Sequence, residues 1–365
     1  MTSMRSLIFA KPMLDAGKGS GRFYQRYQIP MGILAIGVIV LWGASTLDSA
    51  FVFTLNAVLL ACMGAIALTV LMGTAGQVSI GNAAFLGIGG FSAVFFARSG
   101  FAFPFDVVLA TVVSGVAGLV VGLPALRLRG LYLALATLAA QFIVIFLGTQ
   151  YQNNTQHVGG FSLEPVFASF EPAVAQQYWS LLLWAVLGVV IVGAARLMRG
   201  KSGRALRIIR DHEPTAPSLG IPVTRYKLTI FALASAVIGA QGALAGHLTG
   251  FVSVDAYTVT IAIAYIAMIL IGGIDSIAGA VIGATIVICL PVVVPLVLGG
   301  SLGATATTHA PQISQIIYGS LVLLFIVSSP AGIVGWLRSR ADRASALLEQ
   351  RRQSTTTTTT IEEKQ

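Results

Sequence analysis

The chain reads as an all-α, polytopic helical membrane protein with about ten transmembrane or partly broken helices and both termini cytoplasmic. Three observations predict this. Its 365 residues are 56% hydrophobic and only 10% charged, with a mean hydropathy of +0.86, whereas soluble chains run about 25% charged. The apolar residues fall in separate runs of about twenty, the length a helix needs to cross ~30 Å of hydrocarbon. Lys and Arg collect in segments between those runs, above all in Arg196–Lys227.

That segment, RLMRGKSGRALRIIRDHEPTAPSLGIPVTRYK, carries Arg196, Arg199, Lys201, Arg204, Arg207, Arg210, Arg225 and Lys227 against Asp211 and Glu213. Lys and Arg near span ends resist translocation, so this loop is expected to stay in the cytoplasm and fixes the sidedness of every other loop. The polar residues 1–30 hold five basic side chains and show no short apolar core with a small-residue cleavage site. They are expected to form an uncleaved cytoplasmic tail. Spans follow at about 31–47, 51–72, 79–97, 104–124, 130–148, 179–197, 228–249, 257–271, 276–298 and 313–335. With this topology every Lys and Arg except Arg98 falls on the cytoplasmic side, and the outer loop 149–178 carries Glu164 and Glu171 but no basic residue. Residues 338–365, with six Thr at 355–360, read as a disordered cytoplasmic tail.

Two stretches are not plain spans. Gly73–Arg98 is rich in Gly, including Gly76 and Gly81, and places Gln77, Ser79 and Asn82 at membrane depth. Broken backbone there is tolerated only inside protein or along a cavity, and such breaks mark substrate paths in transporters. A Gly-packed helix interface accounts for the same residues equally well. Ile271–Ala284 carries Gly272, Gly273, Gly279 and Gly283, which predict a break followed by a small-residue packing face. Gln77, Ser79, Asn82 and Gln141 are candidate translocation-path residues, because neutral polar groups in apolar spans face protein or a cavity rather than lipid. They could hold a zwitterion loosely, or hydrogen-bond between helices at ~0.6 kcal/mol each.

Several classes are disfavoured. The net charge of +9 follows from positive loops on one membrane face and does not call for nucleic acid. Cys62 and Cys289 lie inside spans and read as packing residues; four scattered His and no CxxC or HExxH give no metal site. No cofactor is expected. Asp106 and Asp275 sit at span ends, and no ionisable pair within one membrane layer is evident, which weighs against an ion-coupled secondary transporter and against an intramembrane enzyme. His247 lies near the outer end of its span and reads as interfacial.

GQVSIGNAAFLGIGGFSA (76–93), LRLRGLYLALATLA (126–139), GRALRIIRDHEPTAPSLGIPVTRYKLTIFALASAVIGAQGALAGHLTGFVS (203–253), MILIGGIDSIAGAVIGA (268–284) and SPAGIVG (329–335) together resemble the LivM-type permeases of branched-chain amino-acid ABC transporters, in the family's order and over about residues 30–337. The resemblance implies a permease domain over 31–337 in a bacterial inner membrane. It also implies a LivH-type second permease, two cytoplasmic ATPase subunits, a periplasmic binding protein, and no ATP hydrolysis by the chain itself. It implies a coupling loop at about 198–227, with Gly203, Arg204, Ala205, Arg210, Asp211, Glu213, Ala216, Leu219 and Gly220 at the family's motif positions. By their residues alone these positions fit equally a solvated basic loop held by lipid phosphates. If the coupling helix starts near 214, Asp211 and Glu213 stand near its N-terminus, suiting its dipole, and Gly220 would cap its C-terminus. Pro217 then presses on the first-turn limit for proline. Asn82 stands where many relatives carry His, and Asp275 where they usually carry Gly. Related permeases also take urea, short amides or other amino acids, so the cargo stays open among these.

Overall fold

The computed structural model describes residues 49–302, except 126, 127, 129, 158, 168 and 169, together with 316, 317, 319, 320 and 332–334. The tails 1–30 and 338–365 and the predicted span 31–47 lie outside the described residues, as does most of 313–335. The polytopic helical fold class is borne out. Among the described residues, six helices are long and apolar enough to cross a membrane, and Asn82–Arg98 and Ile277–Val293 form shorter apolar helices.

Helix α1 (Ser49–Leu68) continues through a π-helical stretch, Thr69–Thr74. It is followed by α2 (Asn82–Arg98), α3 (Phe105–Ala125), α4 (Leu131–Asn154) and α5 (Pro172–Arg199). A short helix, α6 (Lys201–Asp211), leads to a 3-10 turn at Pro217–Leu219, then α7 (Val223–Thr249), α8 (Val259–Gly272) and α9 (Ile277–Leu302). Each predicted span between 51 and 298 corresponds to one of these helices, with shifted ends. Helix α4 runs six residues beyond its apolar stretch because Gln152 is held from outside the helix, its Oε1 accepting the Val254 amide at 3.1 Å. Helix α5 starts seven residues early, at Pro172, since proline suits a first helical position.

The centre of the bundle is α1, 83% of whose apolar stretch is buried, against 17% in α5 and 28% in α3 and α4. The Asn56 amide Nδ2 donates to Gln176 O at 3.1 Å and to Gln176 Oε1 at 3.0 Å, and Ser180 Oγ donates to Asn56 Oδ1 at 2.7 Å, tying α1 to α5. Lipid offers no hydrophobic drive between helices, so close backbone approach and such hydrogen bonds hold them. Helices α3 and α7 meet on small residues: a methyl added at Gly118 would lie 2.6 Å from Ser235 Cβ, and one added at Gly239 would strike Ser114. Helices α8 and α9 form a hairpin in which Gly279 faces the backbone of Gly272 and Gly283 faces the Met268 carbonyl.

At one end of the bundle a two-residue antiparallel ribbon pairs β1 (Phe161–Ser162) with β2 (Phe251–Val252), just past the end of α7. It pairs the loop after α4 with the segment after α7, a connection the all-α expectation did not include. Phe161 is buried there, with Tyr151, Phe91 and the His157 ring around it. Arg98 lies over the Phe161 ring at 5.3 Å. The end of α5, all of α6 and the start of α7 lie at the opposite, basic end. The 27 residues of α7 separate the two ends by ~40 Å at 1.5 Å per residue.

Candidate functional site

Helix α6 is amphipathic by position: Gly203, Leu206 and Ile209 are buried, and Arg204, Arg207 and Ile208 are exposed. The helix ends at His212, whose backbone leaves the helical region. Past it, 213–216 form turns and the next helical element is a 3-10 turn at Pro217–Leu219, so the expected coupling helix does not start as an α-helix near 214. Pro214 and Pro217 lack an amide hydrogen, so the chain turns through 213–216 and Pro217 opens the 3-10 turn. Asp211 closes α6 rather than standing near a helix start, so the dipole stabilisation expected for it is absent, and the cation Arg210 occupies the favourable last turn. Gly220 ends the turn at φ +74, a left-handed conformation that glycine adopts without steric penalty. Ala216 is buried beneath this turn, whereas Leu219 stands 64% exposed on it.

Two ion pairs fasten this unit to the bundle. Lys227 Nζ meets Glu213 Oε1 at 2.7 Å, joining the turn to α7. The Arg210 guanidinium meets Asp211 Oδ1 at 3.0 Å and Asp275 Oδ1 at 2.7 Å, and also donates to the Gly73 carbonyl. Partial burial works against the charge on Arg210, but the Asp211 and Asp275 carboxylates outweigh it and raise its pKa. It stays cationic across the physiological range.

The four candidate path residues are all buried. Gln77 and Ser79 lie in the non-helical segment before α2, at the basic end. Gln77 Nε2 donates to Lys227 O at 3.2 Å, and the Ile80 amide donates to Thr137 Oγ1 of α4 at 3.0 Å. Gly81 sits against the Thr137 carbonyl. Asn82 opens α2 with both amide atoms buried and without a hydrogen-bond partner among the described residues. Gln141 Nε2 donates to Tyr257 O at 3.5 Å.

None of these four lines the cavity of about 620 Å³ bounded by α2, α7, α8 and α9. Its walls are largely apolar, with Leu86, Ile261 and Met268 among them, and Gln241, Tyr257 and Tyr265 supply polar groups. Gln241 Nε2 is hydrogen-bonded to the Tyr265 hydroxyl, and this pair sits over Gly64 of α1. Gln241 went unmarked in the sequence although a neutral amide inside an apolar span was the signal used for Gln141.

The family model for the permease component of branched-chain amino acid transport systems matches residues 50–327. The chain belongs to this family. The high-affinity branched-chain amino acid transport permease LivM of Salmonella typhimurium is 29% identical over 301 residues, covering 74% of this chain and 67% of that protein. LivM of Escherichia coli K12 is 26% identical over 365 residues, covering 92% and 80%. A probable LivM of Methanocaldococcus jannaschii is 24% identical over 234 residues, covering 62% and 68%. No solved structure matches. The chain is thus a multi-pass inner-membrane permease subunit of an ATP-binding cassette importer, a transport component.

One feature of this permease overturns a sequence expectation. Asp106 and His247 are 0% and 5% exposed, and Asp106 Oδ2 stands 2.5 Å from His247 Nε2. An ionisable pair therefore does lie within one layer of the bundle. Its members are 141 residues apart and each stands at a span end, so the sequence alone does not bring them together. The pair joins α3 to α7 under Phe103, whose ring centroid is 5.4 Å from that of His247. Neither residue lines the cavity, so the pair acts as a clasp between helices.

Proposed function

We propose that this permease moves branched-chain, hydrophobic amino acids from periplasm to cytoplasm, driven by separate ATPase subunits that dock on α6 and the 217–220 turn. The observation that carries this reading is the arrangement at the basic end. A short amphipathic helix is packed on the bundle through Leu206 and Ile209, and beside it a glycine-closed turn presents Leu219 outward. An exposed apolar side chain on a small, rigid turn suits a groove in a soluble partner, and the surrounding Arg204 and Arg207 would set its register. Sidedness follows from the same residues, since the basic end belongs in the cytoplasm.

The cavity fits the cargo class. Its aliphatic walls accept an apolar side chain, while Gln241 and the tyrosines offer neutral groups to a zwitterion without holding it tightly. The assembly implied is a second, LivH-type permease, two ATPases and a periplasmic binding protein, with hydrolysis confined to the ATPases. The test is uptake of radiolabelled leucine by proteoliposomes holding that complex. Uptake that needs ATP and the binding protein, and is lost in Gly220→Trp although the complex assembles, is the expected result. Leucine uptake by this chain alone, driven by an ion gradient and indifferent to ATP, would contradict it. ATP-dependent uptake of urea or short amides but not leucine would overturn the cargo and leave the class.

A further inference from the structure

We infer that Arg210 is a strut carrying movement of α6 into the α8–α9 hairpin, with Asp275 as the group that receives it; the inference rests on the importer reading above. Two segments distant in sequence from α6 converge on this one guanidinium. Its Nη1 donates both to the Gly73 carbonyl, at the end of the π-helical stretch, and to Asp275 Oδ1, in the turn between α8 and α9. Its Nε holds Asp211 on its own helix. Its aliphatic stem crosses Gly76, where an added methyl would lie 2.6 Å from Arg210 Cγ. Gly73 is itself pressed on the same turn: a methyl there would strike the Ile274 carbonyl and lie 3.3 Å from Asp275 Oδ1. The planar, multiply donating guanidinium can hold these acceptors in a fixed geometry, which a lysine ammonium on a flexible stem does not.

The receiving end is stiff. Gly273, at φ +116, closes α8 with its amide on Ile269 O at 2.8 Å, and Ser276 Oγ accepts the Gly279 amide at 3.3 Å. Beyond the turn, the glycine contacts between α8 and α9 leave no slack for one helix to slide on the other. A displacement applied at Asp275 therefore moves the hairpin as a body. The hairpin supplies Ile261, Tyr265, Met268, Val287 and Ile288 to the cavity wall. The Lys227–Glu213 pair links the turn to the start of α7. Arg210 is in this sense a positioning residue, joining the docking face to the cavity through one contact.

Coupling between two residues is read as the interaction between their substitutions. The experiment uses the full complex in proteoliposomes and reads leucine moved per ATP hydrolysed in wild type, Arg210→Gln, Asp275→Asn and the double variant. Each single change is expected to lower that ratio by roughly threefold to fivefold, the scale of a partly exposed ion pair. The double variant should fall no further than the worse single, because both changes remove the same link. A merely structural role would reduce assembled complex and leave the ratio intact. An unchanged ratio in both single variants, or losses that multiply in the double, would overturn the strut. Should Arg210→Gln fail to assemble, Asp275→Asn decides alone, since that side chain is 70% exposed and its loss is tolerable to folding. A wild-type complex without ATP-dependent uptake would overturn the importer reading, and the strut with it.

Discussion

The Asp106–His247 pair commits α3 to α7 in a setting where water cannot replace a lost partner. Removing one member of a buried, hydrogen-bonded pair costs about 3–5 kcal/mol, whereas replacing both with apolar residues of similar size is often close to neutral. Asp106→Leu or His247→Leu should each lower the thermal unfolding midpoint in detergent sharply, and the double Leu variant should recover much of the loss. Equal or additive losses in the double variant would show that the contact between the two is not what matters. A second residue-level test concerns Gly64, whose missing side chain makes room for the Gln241–Tyr265 pair. Gly64→Val should push that pair toward the cavity and lower uptake of leucine more than of the smaller valine, read as separate uptake rates. At this scale the sequence was only partly legible. Marking neutral polar residues in apolar spans finds buried groups, and Gln77, Ser79, Asn82 and Gln141 are all buried. The same rule applied evenly would have added Asn56 and Gln241. What it lacks is pairing: burial of a polar side chain follows from one segment, its partner from the packing of two.

Among the elements, helices were read well and their connections poorly. Apolar length sets a span, so the helices between 51 and 298 are evident from sequence. Ends depend on caps and contacts from elsewhere, as Gln152 shows in lengthening α4. Helix α6 was not foreseen: the segment 198–227 was read as a loop, although the spacing of Gly203, Leu206 and Ile209 marks one buried helix face. The hairpin of α8 and α9 gives a clear prediction. Gly283→Leu would drive a side chain into the Met268 carbonyl, and overpacking of this kind costs typically about 1–3 kcal/mol. The variant should show reduced yield of folded protein by size-exclusion chromatography, while Gly188→Leu, at a position with open space around it, should not.

For the whole molecule, the described residues place α1 at the centre, the more exposed α3, α4 and α5 around it, a cavity among α2, α7, α8 and α9, and a cluster of basic side chains at one end. The distribution of charge along the chain makes this polarity legible. The basic residues of α5, α6 and α7 gather at one end, and Arg98, the exception in the sequence, is held at the other by Phe161 and His157. The meeting of Gly73, Arg210 and Asp275 was not legible, because it arises from contacts between segments far apart in the chain. We propose that the turn at 217–220 meets the ATPase subunits in the cytoplasm. This contact is tested most directly by labelling Leu219→Cys with a membrane-impermeant maleimide in oriented vesicles, with Cys62 and Cys289 replaced by Ala. Labelling only from the cytoplasmic side, suppressed when the ATPase subunits are added, is the predicted result. Labelling from the periplasmic side, or labelling indifferent to the ATPases, would contradict it.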